Sequence, residues 1–259
     1  MRKLEIRSVE VVQYIQPLRE GGSLPAIVLG DDGFQYVLKF RGAGQGSKAL
    51  VAEFIGGELA RAFGLKVPEL VFMNLDVSFS QAEGDEEIQD LLKFSVGLNL
   101  GLHFLSGAIT YDPLVSVADP LSASKVVLLD AIINNIDRTA KNTNLLNWRK
   151  ELWLIDHGAS LFFHHNWQTW QQYIEKAFPM IKDHVLIDRA SEIPLAIDQI
   201  KKIERAEIVQ DIVNNIPEGW LVNQSNDMTT NDMRSAYSKF LNTRLSNIDI
   251  IAKEIENAR

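Results

Sequence analysis

Asp137 and Asn142 stand five residues apart, and Asp156 closes the apolar run 152–155 a short way downstream. A carboxylate, an amide and a second carboxylate, in that order, are what a phosphoryl-transfer loop requires. The first orients the attacking hydroxyl, while the amide oxygen and the second carboxylate hold Mg²⁺ on the nucleotide phosphates. Each group alone has a plainer explanation. Asp137 could end a helix and cap the turn beyond it, Asn142 or Asn144 could serve a turn, and Asp156-His157-Gly158 could simply leave a strand. The combination carries the weight. The step from Asp137 to Asn142 equals the kinase catalytic-loop step, and segments 145–148 and 152–155 fit a hairpin that returns Asp156 beside Asn142. These residues imply an ATP-dependent kinase with Asp137 as the catalytic carboxylate and Asn142 and Asp156 as metal ligands. Hard oxygen donors suit Mg²⁺ better than a softer metal.

Lys39 begins a second constellation. It closes the third predicted strand, after a loop holding Gly21, Gly22 and Ser23. Small residues there let backbone N–H groups approach phosphate closely, although an ordinary hairpin loop has the same composition. A kinase lysine is usually held by a glutamate on the following helix, and Glu53 and Glu58 compete for that part. The stretch 42–47 tempts a phosphate-loop reading but fails it, because Lys48 follows Ser47 rather than preceding it. His157, His164 and His165 have no carboxylate or Cys partner at ligand spacing and read as core or solvated residues. Trp167 and Trp170 read as packing.

Several elements must position these groups. Strands are expected over 9–15, 26–29 and 35–40, with Asp31-Asp32-Gly33 turning the second into the third. Ser47 is placed to cap a helix running to about residue 63, where Gly64 stops it. A strand follows over 69–74, an exposed acidic loop over 81–90, and a Gly-rich strand and connection over 93–107. Ser122 or Ser124 could cap a helix leading straight into Asp137. Beyond Asp156 the pattern predicts helices over 167–178, 194–214 and 231–258, with Pro194 in a first turn and 223–231 as a connection. The fold class is therefore α+β with two lobes, a β-rich nucleotide-binding lobe over 1–103 and a helical lobe carrying the catalytic loop over 104–259.

Bulk properties narrow the setting. The 259 residues are 46% hydrophobic and 23% charged, ordinary for a globular protein. A net charge of −8 disfavours direct nucleic-acid binding, which rests on Lys and Arg. With no cysteine, thiolate zinc sites, disulfides and a Cys nucleophile are excluded. The first ten residues lack the apolar core of a secretory signal, and no stretch approaches a membrane span, so a cytoplasmic location is expected.

Residues 35–40, 50–53 and 64–68 resemble the small-lobe signature of HipA-like kinases. Asn135-Ile136-Asp137-Arg138 through Asn142, with Ile155-Asp156-His157-Gly158, resembles their catalytic and metal-binding segments, and also those of phosphatidylinositol-kinase-like proteins. The resemblance covers roughly residues 20 to 160. It implies a two-lobed protein-kinase-like fold with ATP in the cleft and Ser or Thr hydroxyls as acceptors. It further implies that Lys39 holds the α- and β-phosphates, that Glu53 orients Lys39, and that Asp137 is the base. Asn142 and Asp156 would bind Mg²⁺, and adenine would meet a hinge around 103–105 that includes Phe104 and Leu105. Thr139 departs from the family, standing where kinases often carry a basic or His residue. A lipid or small-molecule kinase would use the same machinery, and a catalytically silent module could keep the fold. The joint presence of Lys39, Asp137, Asn142 and Asp156 speaks against the silent module.

Overall fold

Alternating burial explains the first sheet. In β3 (Gln35–Lys39), Tyr36 and Leu38 are buried among strand side chains while Val37 and Lys39 point the other way. The computed structural model describes residues 4–18 and 24–259; Gly21, Gly22 and Ser23 lie outside the described residues. β1 (Ser8–Pro17), β2 (Ala26–Gly30), β3, β4 (Leu70–Leu75) and β5 (Gly97–His103) close into a barrel in the order β1-β2-β3-β5-β4. All its pairings are antiparallel except β1 with β4. Val9, Val28, Tyr36, Leu38, Val71 and Met73 fill its interior. The expected turn joins β2 to β3, with Gly33 in the left-handed region that glycine adopts freely.

Between β3 and β4 runs α1 (Ser47–Ala62), buried at every position from Leu50 to Ala60. A helix buried on all sides must be packed on all sides, and α1 sits between the barrel and the helical lobe. Its N-cap is Gly46 rather than Ser47, and no side chain caps it. Instead of an exposed acidic loop, α2 (Ser78–Ala82) and α3 (Glu86–Phe94) follow β4. Asp85 caps α3 by accepting from the Glu87 and Ile88 N–H groups, and Ile88 and Leu92 bury its inner face.

The helical lobe is built around α4 (Pro120–Ile133), capped by Asp119 rather than by Ser122 or Ser124 and ended by Asn134 in the left-handed region. A small sheet of β6 (Ile109–Thr110), β7 (Leu145–Trp148) and β8 (Glu151–Leu154) stands beside it. The hairpin of β7 and β8 matches the sequence expectation. The expected helix over 167–178 is instead a run of turns with one short 3-10 segment, Trp170–Tyr173, preceded by another at Phe162–His165, with edge-on and tilted aromatic contacts around Phe163. The segment 194–214 divides into α5 (Ile193–Lys201) and α6 (Arg205–Asn214); Pro194 lies in the first turn of α5 as expected. After α7 (Glu218–Leu221), the last helical stretch divides into α8 (Thr230–Ser246) and α9 (Ile248–Ala258). Among the described residues no helix is long and apolar enough to cross a membrane.

Candidate active site

The alternation in β3 sends Lys39 towards the helical lobe. Its Nζ donates to Glu53 Oε2 of α1 at 2.8 Å and to Asp156 Oδ1 at 2.6 Å. Burial alone would lower the ammonium pKa, but the charges of Asp156 and Glu53 outweigh it and hold Lys39 above the ordinary lysine value. Glu53 is fully buried. Burial would raise its carboxyl pKa, yet the Lys39 charge and the His157 side chain depress it below the carboxylate range; the His157 backbone N–H also donates to Oε2 at 2.6 Å. One cation faces two carboxylates, so the cluster keeps a surplus negative charge, and Asp156, 45% exposed, presents it to the cleft. Glu58, the competing partner, turns to Arg61 at 3.4 Å.

Contact between α1 and the Asp156 segment needs a missing side chain. A Cβ at Gly56 would lie 2.6 Å from His157 Cβ, so only glycine lets the helix approach this closely. His157 is fully buried, its Nδ1 at 3.6 Å from Glu53 Oε1. Asp156 itself adopts φ 57°, a left-handed geometry tolerated by Asp and Asn, which turns its carboxylate out of the line of β8.

The loop after α4 is tied to itself. Asn135 donates to Asp130 Oδ1 at 3.1 Å, and its side-chain oxygen accepts the Asp137 N–H at 3.1 Å. Asp137 Oδ2 accepts from Asn142 Nδ2 at 2.8 Å and from Asn144 Nδ2 at 3.3 Å. With both amide nitrogens turned to Asp137, the amide oxygens are the faces left to a cation. Asn144, also left-handed at φ 49°, accepts the Ile155 N–H on its carbonyl at 3.1 Å, which seats the end of the loop beside the start of the Asp156 turn. Asp156 and the Asn142 or Asn144 amide oxygen are hard oxygen donors, the type that suits a divalent cation completed by phosphate and water.

Beneath the loop lies a buried charge cluster. Arg138 Nε donates to Asp130 Oδ2 at 2.6 Å, and its Nη1 donates to the carbonyls of Asn144 and, at 3.2 Å, Ile155. Burial would raise the Asp130 pKa, but Arg138 and His184 drive it below the usual carboxylate range. His184 Nδ1 accepts the Leu186 N–H at 3.0 Å, so Nε2 carries the proton and donates to Asp130 Oδ2 at 2.9 Å.

Lys39, Asp137, Asn142, Asn144 and Asp156 all line one cleft of about 1880 Å³ between the lobes. Val37, Leu102, Phe104, Leu105 and Ile155 supply apolar lining to it. The Phe104 N–H is already donated to the Gln35 carbonyl at 2.9 Å.

A family model described as HipA-like kinase matches residues 11–248. The chain belongs to the HipA-like kinase family. It is accordingly a kinase-type phosphotransferase. A search of curated protein sequences gave no match. Among solved structures, this kinase is similar to the Golgi casein kinase with Mn and ADP bound, at 10% identity and TM-score 0.55, covering 98% of this chain and 73% of that one. It is also similar to the Helicobacter pylori proinflammatory kinase CtkA, at 11% identity and TM-score 0.51, covering 98% of both chains. At such identities the likeness shows the fold, a two-lobed kinase architecture with a β-rich first lobe and a helical second one.

The kinase therefore gathers Lys39, Glu53, Asp137, Asn142 and Asp156 in and behind one cleft, with Phe104 and Leu105 on its wall. Sequence reasoning missed Asp130, Arg138 and His184. Asp130 had a visible signal, a lone acid in the apolar run 126–133. His184 had none, since only the fold brings it to Asp130.

Proposed function

We propose that the chain is an ATP- and Mg²⁺-dependent serine/threonine protein kinase of the cytoplasm, with 1–103 as nucleotide lobe and 104–259 as catalytic lobe. One observation carries the reading: Lys39 joins Glu53 of α1 to Asp156, which links the β-rich lobe to the turn after β8 through a single cation. That arrangement sets an ammonium where nucleotide phosphates would exchange with Asp156 for it, while Glu53 keeps it aimed. The Golgi casein kinase structure holds Mn and ADP, which supports nucleotide and divalent-metal use on the shared fold.

Adenine enters between the apolar Val37, Leu102 and Ile155, beside Phe104 and Leu105. Because the Phe104 N–H is engaged, its role is apolar contact. Asp137, with Oδ2 held by the two asparagine amides, presents Oδ1 to the acceptor hydroxyl and fixes its direction of approach. Lys39 holds the phosphates against that approach. Asp156 and Asn142 would hold the divalent cation, which would supply charge neutralisation at the transferring phosphate. Gly21, Gly22 and Ser23, outside the described residues, remain proposed as the loop over the phosphates.

The test is incubation with γ-labelled ATP, Mg²⁺ and cell lysate, followed by mass spectrometry. Label on Ser or Thr of a protein supports the proposal, and label extracted into lipid supports a lipid kinase instead. Asp137→Asn should lower transfer by roughly 10²–10⁴-fold, the usual worth of a positioned base. Transfer undiminished in that variant would refute its role.

A further inference from the structure

The segment beyond the aromatic turns is stitched to the loop that carries Asp137. Thr139 and His184 form an antiparallel bridge, and the Val185 N–H donates to the Arg138 carbonyl at 3.1 Å. His184 reaches further still, since its Nε2 shares Asp130 Oδ2 with Arg138. All three side chains are almost wholly buried, Asp130 and Arg138 at 0% and His184 at 2%. A charge this deep is held in place by the hydrogen bonds it makes, and Arg138 makes all of its described ones through Nε and Nη1, its buried Nη2 having no partner among the described residues. Arg138 spends its Nη1 on two carbonyls from different elements, Asn144 at the end of the loop and Ile155 just before Asp156. One guanidinium therefore sets the separation between the asparagine side of the site and the Asp156 side.

We propose that His184 is a positioning residue: by fixing Asp130, it orients Arg138, and Arg138 holds the Asn144 and Ile155 backbones at the spacing the cleft requires. The inference rests on the reading of Asp137, Asn142 and Asp156 as the reacting centre. His184 does not line the cleft, and its two nitrogens do different work. Nδ1 serves the local turn at Leu186, while Nε2 serves Asp130.

That division makes the test selective. In His184→Gln the amide nitrogen reaches the place of Nε2, keeping the donor to Asp130 and losing the acceptor for Leu186. His184→Asn keeps the short-range acceptor and cannot reach Asp130. A hydrogen bond to a charged group corresponds to roughly a ten- to hundredfold effect, so kcat should fall by that factor in His184→Asn, with the KM for ATP changed less than about threefold. His184→Gln should stay within about threefold of the parent protein on both. A merely structural role would lower thermal stability in both variants and leave the kcat of the folded fraction alike. Equal loss of kcat in the two, or none in His184→Asn, would overturn the proposal.

Hydrogen exchange at the Ile155 amide supplies the second readout, because its acceptor is the Asn144 carbonyl that Arg138 grips. Exchange should quicken in His184→Asn and not in His184→Gln; the reverse order refutes the positioning role. Should His184→Asn fail to fold, His184→Gln decides alone, a tenfold loss of kcat with an unchanged melting temperature counting against the proposal. Absence of phosphate transfer in the parent protein would sink the functional reading instead, and exchange would still decide the positioning.

Discussion

Gly56 and Gly57 are neighbours in α1, and adding a methyl to each should have unequal consequences. At Gly56 the new Cβ would lie 2.6 Å from His157 Cβ and 2.9 Å from Cγ. Against an ordinary carbon contact that is a shortfall of about 1 Å, and the obstructing atom sits at the root of its side chain, next to the backbone. His157 cannot swing aside without moving the N–H that donates to Glu53 at 2.6 Å, so the displacement passes to Glu53 and from there to Lys39. Ala is favoured over Gly inside a helix by about 1 kcal/mol, while overpacking a core costs about 1–3 kcal/mol, leaving a net loss of roughly 0–2 kcal/mol. Activity should suffer more, since a misplacement near 1 Å in a reacting geometry costs about 10²-fold. At Gly57 the nearest atom is Leu70 Cδ1 at 2.8 Å, the far end of a flexible side chain, and the next is Val67 Cγ1 at 3.6 Å. Gly57→Ala should therefore keep nearly full activity and parent-like stability. Thermal melts and steady-state kinetics with γ-labelled ATP on the three proteins read both effects. Equal activity in Gly56→Ala and the parent, or an equal loss in Gly57→Ala, would refute the reasoning.

Other outcomes follow from the buried charges. Lys39→Met leaves Glu53 buried without its cation, which should cost about 3–5 kcal/mol in urea unfolding. The double variant Lys39→Met with Glu53→Gln should regain part of that stability and none of the phosphate transfer; full additivity would contradict the pairing. Acid should weaken the fold in two stages. His164 and His184 have folded pKa values below the ordinary histidine value, chiefly through burial, so the unfolded chain binds protons first and stability falls as pH drops below about 6.5. Glu53 and Asp130 are depressed below the carboxylate range, so their contribution is complete above about pH 4.5 and is lost as pH falls further. Denaturant titrations across pH 3 to 8 would show both stages, and a flat profile through the histidine range would count against neutral, buried His164 and His184.

What could be read from the sequence was local or periodic. The strand ending at Lys39 shows period-two alternation, and the five-residue loop step needs no long-range knowledge. The hairpin that returns Asp156 is likewise fixed by two short apolar runs around Arg149 and Lys150, both left-handed in the structure. Misreadings arose where charge hid a pattern or where packing replaced one. In α3, Ile88 and Leu92 keep a helical spacing among acids that suggest a loop. Trp167, Trp170 and Phe178 sit at near-helical intervals, but Phe163 packs against the first two and the segment runs in turns. The long C-terminal stretches broke at 202–204 and at Asn247, where no proline or glycine announces a stop. Choosing Glu53 over Glu58 needed the fold or a family resemblance, since both lie on one buried helix. The Asp130–Arg138–His184 cluster is spread across α4, the loop and the far segment, and only folding unites it.

Calorimetric titration of ATP into the parent protein and into Asp156→Asn, each with and without Mg²⁺, bears most directly on the shared site of Lys39, Asn142 and Asp156. Binding should be strengthened by Mg²⁺ in the parent protein, and that strengthening should vanish in Asp156→Asn. An Asp156→Asn protein that binds ATP with the same affinity and the same response to Mg²⁺ would contradict the assignment.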